Sequence, residues 1–396
     1  MATLVAARPQ SAPRAAPGRL EGIDLLRGLV MVVMALDHAR AFFTFARFNP
    51  LDHAVTTPEY YITRWITHFA APVFVFFAGT AAFLSGSRGR VDLPRFLWTR
   101  GLWLVVVEMT FVHVGWFLDL NFGTIIAQVI WAIGWSMVAL SFLVRFGPGV
   151  VGAIGLAILA LHNLADPLVP AHFGPFDWLW KMLHERGAVE PVPGLLIRPG
   201  YPVLPWFGVM AAGYGLGRLF TGDRAMRDRA LVAIGLSAVA LFLVLRASQV
   251  YGDPGGWSDQ GDPVRTAMDF MNVQKYPPSL LFLLATLGPA LAILPALDRA
   301  KGAWSRIFVT FGRVPLFYYV LHLWILRLLV PVFAVVVGHD WRPLVGVFFA
   351  ALPPTWGFDL PVVYAVWIGV VLLLYPLCAW FADVKRRRKD WWLSYL

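Results

Sequence analysis

The sequence predicts an all-α polytopic membrane protein of about ten transmembrane helices, with both ends inside. Three observations predict this fold class. Of 396 residues, 59% are hydrophobic and 14% are charged, against about 25% charged in an ordinary soluble domain. Mean hydropathy is +0.66. Apolar runs of about 20 residues, the length that crosses a bilayer, recur along the whole chain. This composition has too little polar material to cover a globule, so a soluble, secreted or disordered protein is excluded. The excess of 33 Lys and Arg over 23 Asp and Glu is then read by its distribution across a membrane, not as a signal for nucleic acid.

The segments follow in order. Residues 1–20 are rich in Ala, Pro and Arg without an apolar core. They read as a disordered cytoplasmic tail and not as a cleaved signal. A single transmembrane domain is expected over 21–384. Its spans are placed at 23–46, 62–84, 96–118, 122–144, 148–166, 202–220, 229–247, 277–297, 311–337 and 361–383, and a basic cytoplasmic tail occupies 385–396. Basic residues frame them. Arg8, Arg14 and Arg19 precede the first span; Arg88, Arg90, Arg95 and Arg100 separate the second from the third. Arg145, then Arg218 to Arg229, then Arg299 to Arg313 and finally Lys385 to Lys389 recur on the same side. With the N-terminus inside, 21 of the 33 cations fall inside and nine outside, while Arg27, Arg40 and Arg327 lie within spans. Short inner loops carry most of the bias, as the positive-inside rule requires. The longer connections 167–201, 248–276 and 338–360 fall outside, and long loops tend to be functional. No internal repeat is evident. Cys378 is the single cysteine, so neither an intrachain disulfide nor a multi-Cys metal site can form, and no metal is expected.

The titratable residues narrow the search. None of the nine histidines falls on the cytoplasmic face. His38, His68, His113 and His162 lie toward outer span ends, His53, His172, His184 and His339 in outer loops, and His322 near mid-span. An ionisable group at membrane depth is costly and is a functional candidate by default. Asp24 and Arg27 are three apart and share a helix face. Arg27 and His38 are eleven apart, close to three turns, so they point to one side about 16 Å apart along the axis. A cation at the inner mouth suits a phosphate-bearing donor. An imidazole further in suits a general base acting on a hydroxyl or amine from outside. Asp37 could orient a histidine or pair with Arg40. Glu108 and Arg327 are the other embedded charges.

These residues resemble a known family. Ile23-Asp-Leu-Leu-Arg-Gly28 with the run to His38 is similar to the first helix of the transmembrane acyltransferase superfamily, and the Arg27-x10-His38 spacing to its acyltransferase-3 branch. The closer resemblance is to the bacterial branch of the heparan-alpha-glucosaminide N-acetyltransferase catalytic-domain family. It is carried by Leu36-Asp-His-Ala-Arg40, Ala71-Pro-Val-Phe-Val-Phe-Phe-Ala-Gly79, Tyr201-Pro-Val-Leu-Pro-Trp-Phe-Gly-Val-Met210, Asn272-Val-Gln-Lys-Tyr-Pro-Pro-Ser279 and Phe311-Gly-Arg-Val-Pro-Leu-Phe-Tyr-Tyr-Val-Leu-His322. The resemblance spans about residues 19–396. It implies transfer of an acetyl group from cytosolic acetyl-CoA to an acceptor across the membrane. The family also places its active His in the loop beyond the first helix, where this chain has Asn49 and His53. Either His38 or His53 is therefore the base, with Asp37 beside it.

The expected chemistry follows. Arg27, with Arg95 and Arg100, holds the phosphates of acetyl-CoA (or another acyl-CoA). His68, His113, His322 or the Lys275–Tyr276 pair stabilises an oxyanion or binds the acceptor. The partners implied are membrane lipid, acyl-CoA and a saccharide or lipid-linked sugar, without nucleic acid; a homodimer is left open. The setting implied is a bacterial cytoplasmic (inner) membrane. Two rival classes are a transporter or channel for a small polar or lipid-linked substrate and a non-catalytic partner in an envelope complex. Stabilisation by acyl-CoA separates the enzyme from the transporter, because a ligand stabilises only by binding the native state, and the non-catalytic partner predicts tolerance of substitution at His38 and Arg27 together.

Overall fold

The computed structural model describes residues 21–89, 92–388 and 390–396. The tail expected over 1–20, with Arg8, Arg14 and Arg19, lies outside the described residues, as do Arg90 and Lys389. Among the described residues, seven helical runs are long and apolar enough to cross a membrane.

α1 (Glu21–Phe43) starts with Glu21 and Asp24 and ends with Arg40, charges that complement its dipole at both ends. It is buried along most of its length. α2 (Pro58–Trp65) and α3 (Ala70–Ser87) form one run joined by a 3-10 turn, Ile66–Phe69. α4 (Leu93–Val107) passes through a π turn, Glu108–Val112, into α5 (His113–Phe117). π turns are rare and occur mostly at functional sites. β1 (Thr124–Ala127) then precedes α6 (Val129–Leu143). α6 and α7 (Gly147–Leu161) belong to one apolar run, Val129–Ala165, interrupted at Val144–Phe146 and at Gly147, whose φ is +81°.

The outer connection holds α8 (Asp177–Leu183), β2 (Val189–Val192) and β3 (Leu195–Pro199). β3 pairs in parallel with β1 and antiparallel with β2, giving a small sheet ordered β1-β3-β2. This corrects the fourth expected span. Residues 124–127 are strand, not helix, because Leu196 to Pro199 supply backbone partners at that level. α9 (Val203–Leu216), α10 (Arg224–Ser248), α11 (Pro263–Met271), α12 (Leu280–Leu297), α13 (Ala303–Arg313), α14 (Pro315–Val336) and α15 (Leu360–Arg387) complete the chain. The ninth expected span is thus two helices, broken at Val314 before Pro315. Asp223, Asp262 and Ser279 cap α10, α11 and α12 through their side chains.

Helix crossings are set by small residues, as in other membrane bundles. α1 and α13 meet through a reciprocal pair. A Cβ on Gly28 would lie 1.8 Å from the Phe308 carbonyl oxygen, and one on Gly312 would lie 1.8 Å from that of Asp24. Beside this crossing, the Gly22 amide donates to Asp298 at 3.2 Å, and Arg227 pairs with Asp228 and Asp298 at 2.7 Å each. Those charges tie α1, α10 and α12 together at one end.

Candidate active site

α1 provides the frame. Asp24, Arg27, Met31 and Met34 recur at steps of three and four, so they form one stripe. All four line a cavity of about 320 Å³. The next step of four along the stripe is His38. The cavity lies among α1, α3, α4, α6 and α14. Arg27, Arg100, Arg313 and Lys385 stand at one end, Ile130, Ile133 and Met137 along the wall, and Tyr319 at the other end. Arg27 donates to the Phe77 carbonyl at 2.6 Å. Arg100 donates to the Ser394 carbonyl and Lys385 to Leu396 at 2.9 Å, so the segment after α15 folds back across the cationic mouth.

Tyr319 separates the cavity from His38; the two rings are 6.3 Å apart. Trp116 meets His38 edge-on at 4.9 Å. On α14, one turn from Tyr319, His322 stacks on His38, and its Nε2 lies 2.7 Å from His38 Nδ1. His322 Nδ1 is 2.9 Å from the Tyr318 carbonyl oxygen. The carbonyl can only accept, so His322 Nδ1 carries a hydrogen. His322 is fully buried with no carboxylate partner among the described residues, and a buried charge without a partner is expensive. The neutral ring therefore presents a lone pair at Nε2, which accepts the Nδ1–H of His38. That leaves His38 Nε2 as the unprotonated nitrogen, and it has no hydrogen-bonding partner among the described residues. This tautomer follows from the hydrogen-bond network.

On the other side of α1 lies a cluster of cations. Asp37 accepts from Arg40 at 2.9 Å and from Arg64 of α2. Asp37 is thus committed to two guanidinium groups, and His322 takes the position against His38 Nδ1. Lys275 is buried, with its ammonium 5.2 Å from the Tyr276 ring centroid. The Tyr276 hydroxyl meets that of Tyr201 at 3.2 Å. Burial draws the Lys275 ammonium below its ordinary value. Burial would raise the Tyr276 phenol, but Lys275 and Arg64 bring it down to about 8.

The remaining expected site residues lie elsewhere. His53 is 3.5 Å from Asp269 of α11. His68 is buried between Trp65 and Phe282, and neither nitrogen has a hydrogen-bond partner among the described residues. His113 packs on Phe117 and Phe122, and its Nε2 is 3.0 Å from the Asn121 carbonyl oxygen. Arg95 is exposed and does not line the cavity. Glu108 and Arg327 do not pair. Glu108 accepts from the amides of Gln128 and Trp131 at the start of α6, at 3.2 and 3.3 Å. Arg327 donates to the carbonyls of Phe117, Leu344 and Val347. The sequence reading missed Tyr319, Trp116, Arg64, Arg313 and Lys385 as site residues. Tyr319 had a signal, since it precedes His322 by three residues on one helix.

The membrane-length helices and the embedded histidine pair define an integral membrane protein with a polar site inside its bundle. The family model described as "Heparan-alpha-glucosaminide N-acetyltransferase, catalytic" matches residues 19–247. The chain belongs to this family, which implies a membrane acetyltransferase. None of the curated proteins compared with the chain matches it. The matched stretch contains Arg27, His38, Asp37 and Arg64, whereas Lys275, Tyr319 and His322 come from beyond it.

Proposed function

We propose that the protein transfers an acetyl group from acetyl-CoA to a hydroxyl or amine presented from the far side of the membrane, with His38 as general base. The observation that carries this reading is the His38–His322 pair beside Tyr319, which lines the cationic cavity. The residues present fit the donor. Four cations at one mouth suit a diphosphate and a ribose phosphate, the apolar wall suits a thin amphipathic arm, and the Arg27–His38 separation of about 16 Å matches the reach of an extended pantetheine chain. Bound there, acetyl-CoA supplies a thioester carbonyl for attack and a thiolate that leaves.

His38 Nε2 takes the proton from the acceptor hydroxyl or amine. The positive charge this places on the ring is carried by a bond to His322 that is now charge-assisted and stronger. His38 then gives the same proton to the departing sulfur, so the enzyme returns to its starting state with no acyl-enzyme. Arg27 and Arg100 hold phosphate, and Tyr319 lines the passage through which the thioester reaches His38.

We read the chain as ten crossings: α1, α2–α3, α4–α5, α6, α7, α9, α10, α12, α14 and α15. The even count puts both ends on one side, and the bias of Lys and Arg makes that side the inside, with Arg27, Arg313 and Lys385 on the cytoplasmic side of a bacterial inner membrane. The domain bounds 21–384 and the sugar nature of the acceptor belong to the same proposal.

The test is release of CoA thiol from acetyl-CoA by purified protein in lipid nanodiscs. His38→Ala should lower the rate by about 10²–10⁴-fold, the usual contribution of a positioned base. A folded H38A protein with the wild-type rate overturns the assignment. If His53→Ala alone produces that loss, the base is His53.

A further inference from the structure

We propose that the Trp116 indole N–H and the Tyr319 hydroxyl are the two donors that hold the thioester oxygen as it becomes an oxyanion beside His38. This rests on the acyl-transfer reading and adds two catalytic residues to the same site.

Acyl transfer puts a negative charge on the carbonyl oxygen. As the acceptor atom bonds to the thioester carbon, the carbonyl π pair moves onto oxygen and His38 Nε2 takes the acceptor's proton. The C=O bond then re-forms, the C–S pair leaves on sulfur, and His38 returns the proton to it. Donors aimed at that oxygen are usually the largest single contribution to such catalysis. The other histidines are poorly placed to supply them. His322 spends Nε2 on His38 and Nδ1 on the Tyr318 carbonyl, while His68 and His113 pack against other rings.

Three rings stand against His38 among the described residues: Trp116 and His322 at 4.9 Å and Tyr319 at 6.3 Å. Trp116 is 3% exposed, and its indole nitrogen has no hydrogen-bond partner among the described residues. Phe42, Phe348 and Phe349 pack on the same ring and offer no side-chain acceptor. A buried indole N–H usually finds a partner. Other buried groups here also lack one, Trp206 and Arg327 among them; Trp116 differs in its direct contact with the proposed base. The π turn Glu108–Val112 precedes it. Such a turn fits one extra residue, which sets α5 out of phase with α4 and accompanies the reach of Trp116 to His38 and Phe42 of α1.

Tyr319 supplies the second donor. It lines the donor cavity, and its ring lies 5.6 Å from that of His322, three residues further along α14. One side chain therefore adjoins both the route of the thioester and the histidine pair. Its hydroxyl interacts with the Trp116 side chain, without a hydrogen bond of ordinary geometry, since the indole nitrogen has none. The two polar ends thus meet from α5 and α14 without satisfying each other, and an oxygen between them accepts from both. A phenol ordinarily ionises at about pH 10 and an indole N–H only donates, so both are neutral donors while His38 carries the positive charge. A neutral pair serves a buried oxyanion with no permanent charge to bury beforehand.

The experiment gives the full-length protein in nanodiscs acetyl-CoA and one of two acceptors, water or hydroxylamine, and reads CoA release by chromatography. Water needs a base to attack, whereas hydroxylamine attacks through a lone pair that is free at neutral pH. An oxyanion donor serves both. Tyr319→Phe keeps the ring and removes the hydroxyl. It should lower kcat by about 10²–10³-fold with either acceptor, while the KM for acetyl-CoA changes by less than about threefold. Trp116→Phe should do the same. If it does not fold, benzothienylalanine at position 116 keeps the bicycle with sulfur in place of N–H and answers the same question. His38→Ala gives the contrast, a loss greater with water than with hydroxylamine. Wild-type kcat in folded Y319F and in the position-116 variant overturns the proposal. So does a loss confined to KM, or one confined to water, which marks residues acting through His38. A loss at one position alone overturns the pair and leaves a single donor. Catalysed release that ignores both residues sinks this inference and leaves acyl transfer standing. Release by the wild type no faster than in solution ends the acyl-transfer reading, and this inference with it.

Discussion

His322→Phe is the substitution that most directly tests the histidine pair. It keeps an aromatic ring against His38 and removes the lone pair that accepts the Nδ1–H at 2.7 Å. In the resting enzyme this is a bond between neutral groups, worth about 0.5–1.5 kcal/mol, and once His38 is protonated it becomes charge-assisted, at about 1.5–3 kcal/mol. Only the difference, about 1–2 kcal/mol, acts on the transition state, so kcat should fall by about 5–30-fold. The KM for acetyl-CoA should hold, because His322 does not line the donor cavity. His322→Gln can offer a side-chain carbonyl and should recover part of the loss. Since His322 acts through His38, the double variant should be no slower than His38→Ala alone. Thiol-release kinetics in nanodiscs measure all four proteins, and thermal midpoints check that each is folded. An H322F protein with unaltered kcat refutes the positioning role. So does a defect confined to KM, or a glutamine variant no better than the phenylalanine one.

Three further outcomes are expected. Arg27→Ala should raise the KM for acetyl-CoA by about 10-fold or more, the cost of one charge-assisted phosphate contact, while Arg95→Ala, at an exposed position off the cavity, should not; isothermal titration with CoA checks both. Gly312→Ala places a Cβ 1.8 Å from the Asp24 carbonyl oxygen, so α13 must move from α1 at a cost of about 1–3 kcal/mol, whereas Gly369→Ala meets nothing within 4 Å and should hold or raise the thermal midpoint. Tyr276 ionises at about 8 when folded and at about 10 unfolded. Its lowered folded value means that the folded state releases the proton first, so the stabilisation is complete above pH 10 and is lost as pH falls through 8. The stability gap between wild type and Tyr276→Phe should therefore widen from pH 8 to 10 by at most about 2–3 kcal/mol, which denaturant titration across that range reads.

Much of this molecule was legible from local pattern. The apolar runs marked the long helices because a bilayer demands about 20 residues at a stretch. The Asp24, Arg27 and His38 spacing was visible because all three lie on one helix, where periodicity fixes direction. What failed was non-local. Residues 124–127 look like the start of a span, but hydrogen bonds from β3, some seventy residues later, hold them as strand. His322 was expected on the acceptor side, and only the packing of α14 on α1 brings it to His38 Nδ1. Arg95 and Arg100 look equivalent in sequence, yet the five-residue step between them turns Arg100 to the cavity and Arg95 to the outside. The counter-ions of Asp37 illustrate both cases: Arg40 lies three residues away on the same helix, while Arg64 comes from α2.

The two sides of the site meet in one turn of α1. Arg27, Met31, Met34 and His38 continue the stripe that lines the donor cavity, and Asp37 and Arg40 leave that stripe to form the cationic cluster. Adjacent residues diverge by about 100° on a helix, so His38 meets His322 while Asp37 meets Arg64. A rotation of α1 by a single residue would turn His38 away from His322 and Asp37 away from Arg64, breaking both contacts together. The helix is accordingly held against rotation along its length. Trp367 donates to the Val32 carbonyl at 2.7 Å and Trp356 to that of Phe42 at 2.8 Å. Arg27 is fixed to Phe77, and the Gly28–Gly312 crossing leaves no room on the α13 side. The proposed base needs such a locked register, because catalytic reach is lost with displacements of about 1 Å. The indole clamps on α1 are thus part of how this helix holds His38 against His322 and Asp37 against Arg64.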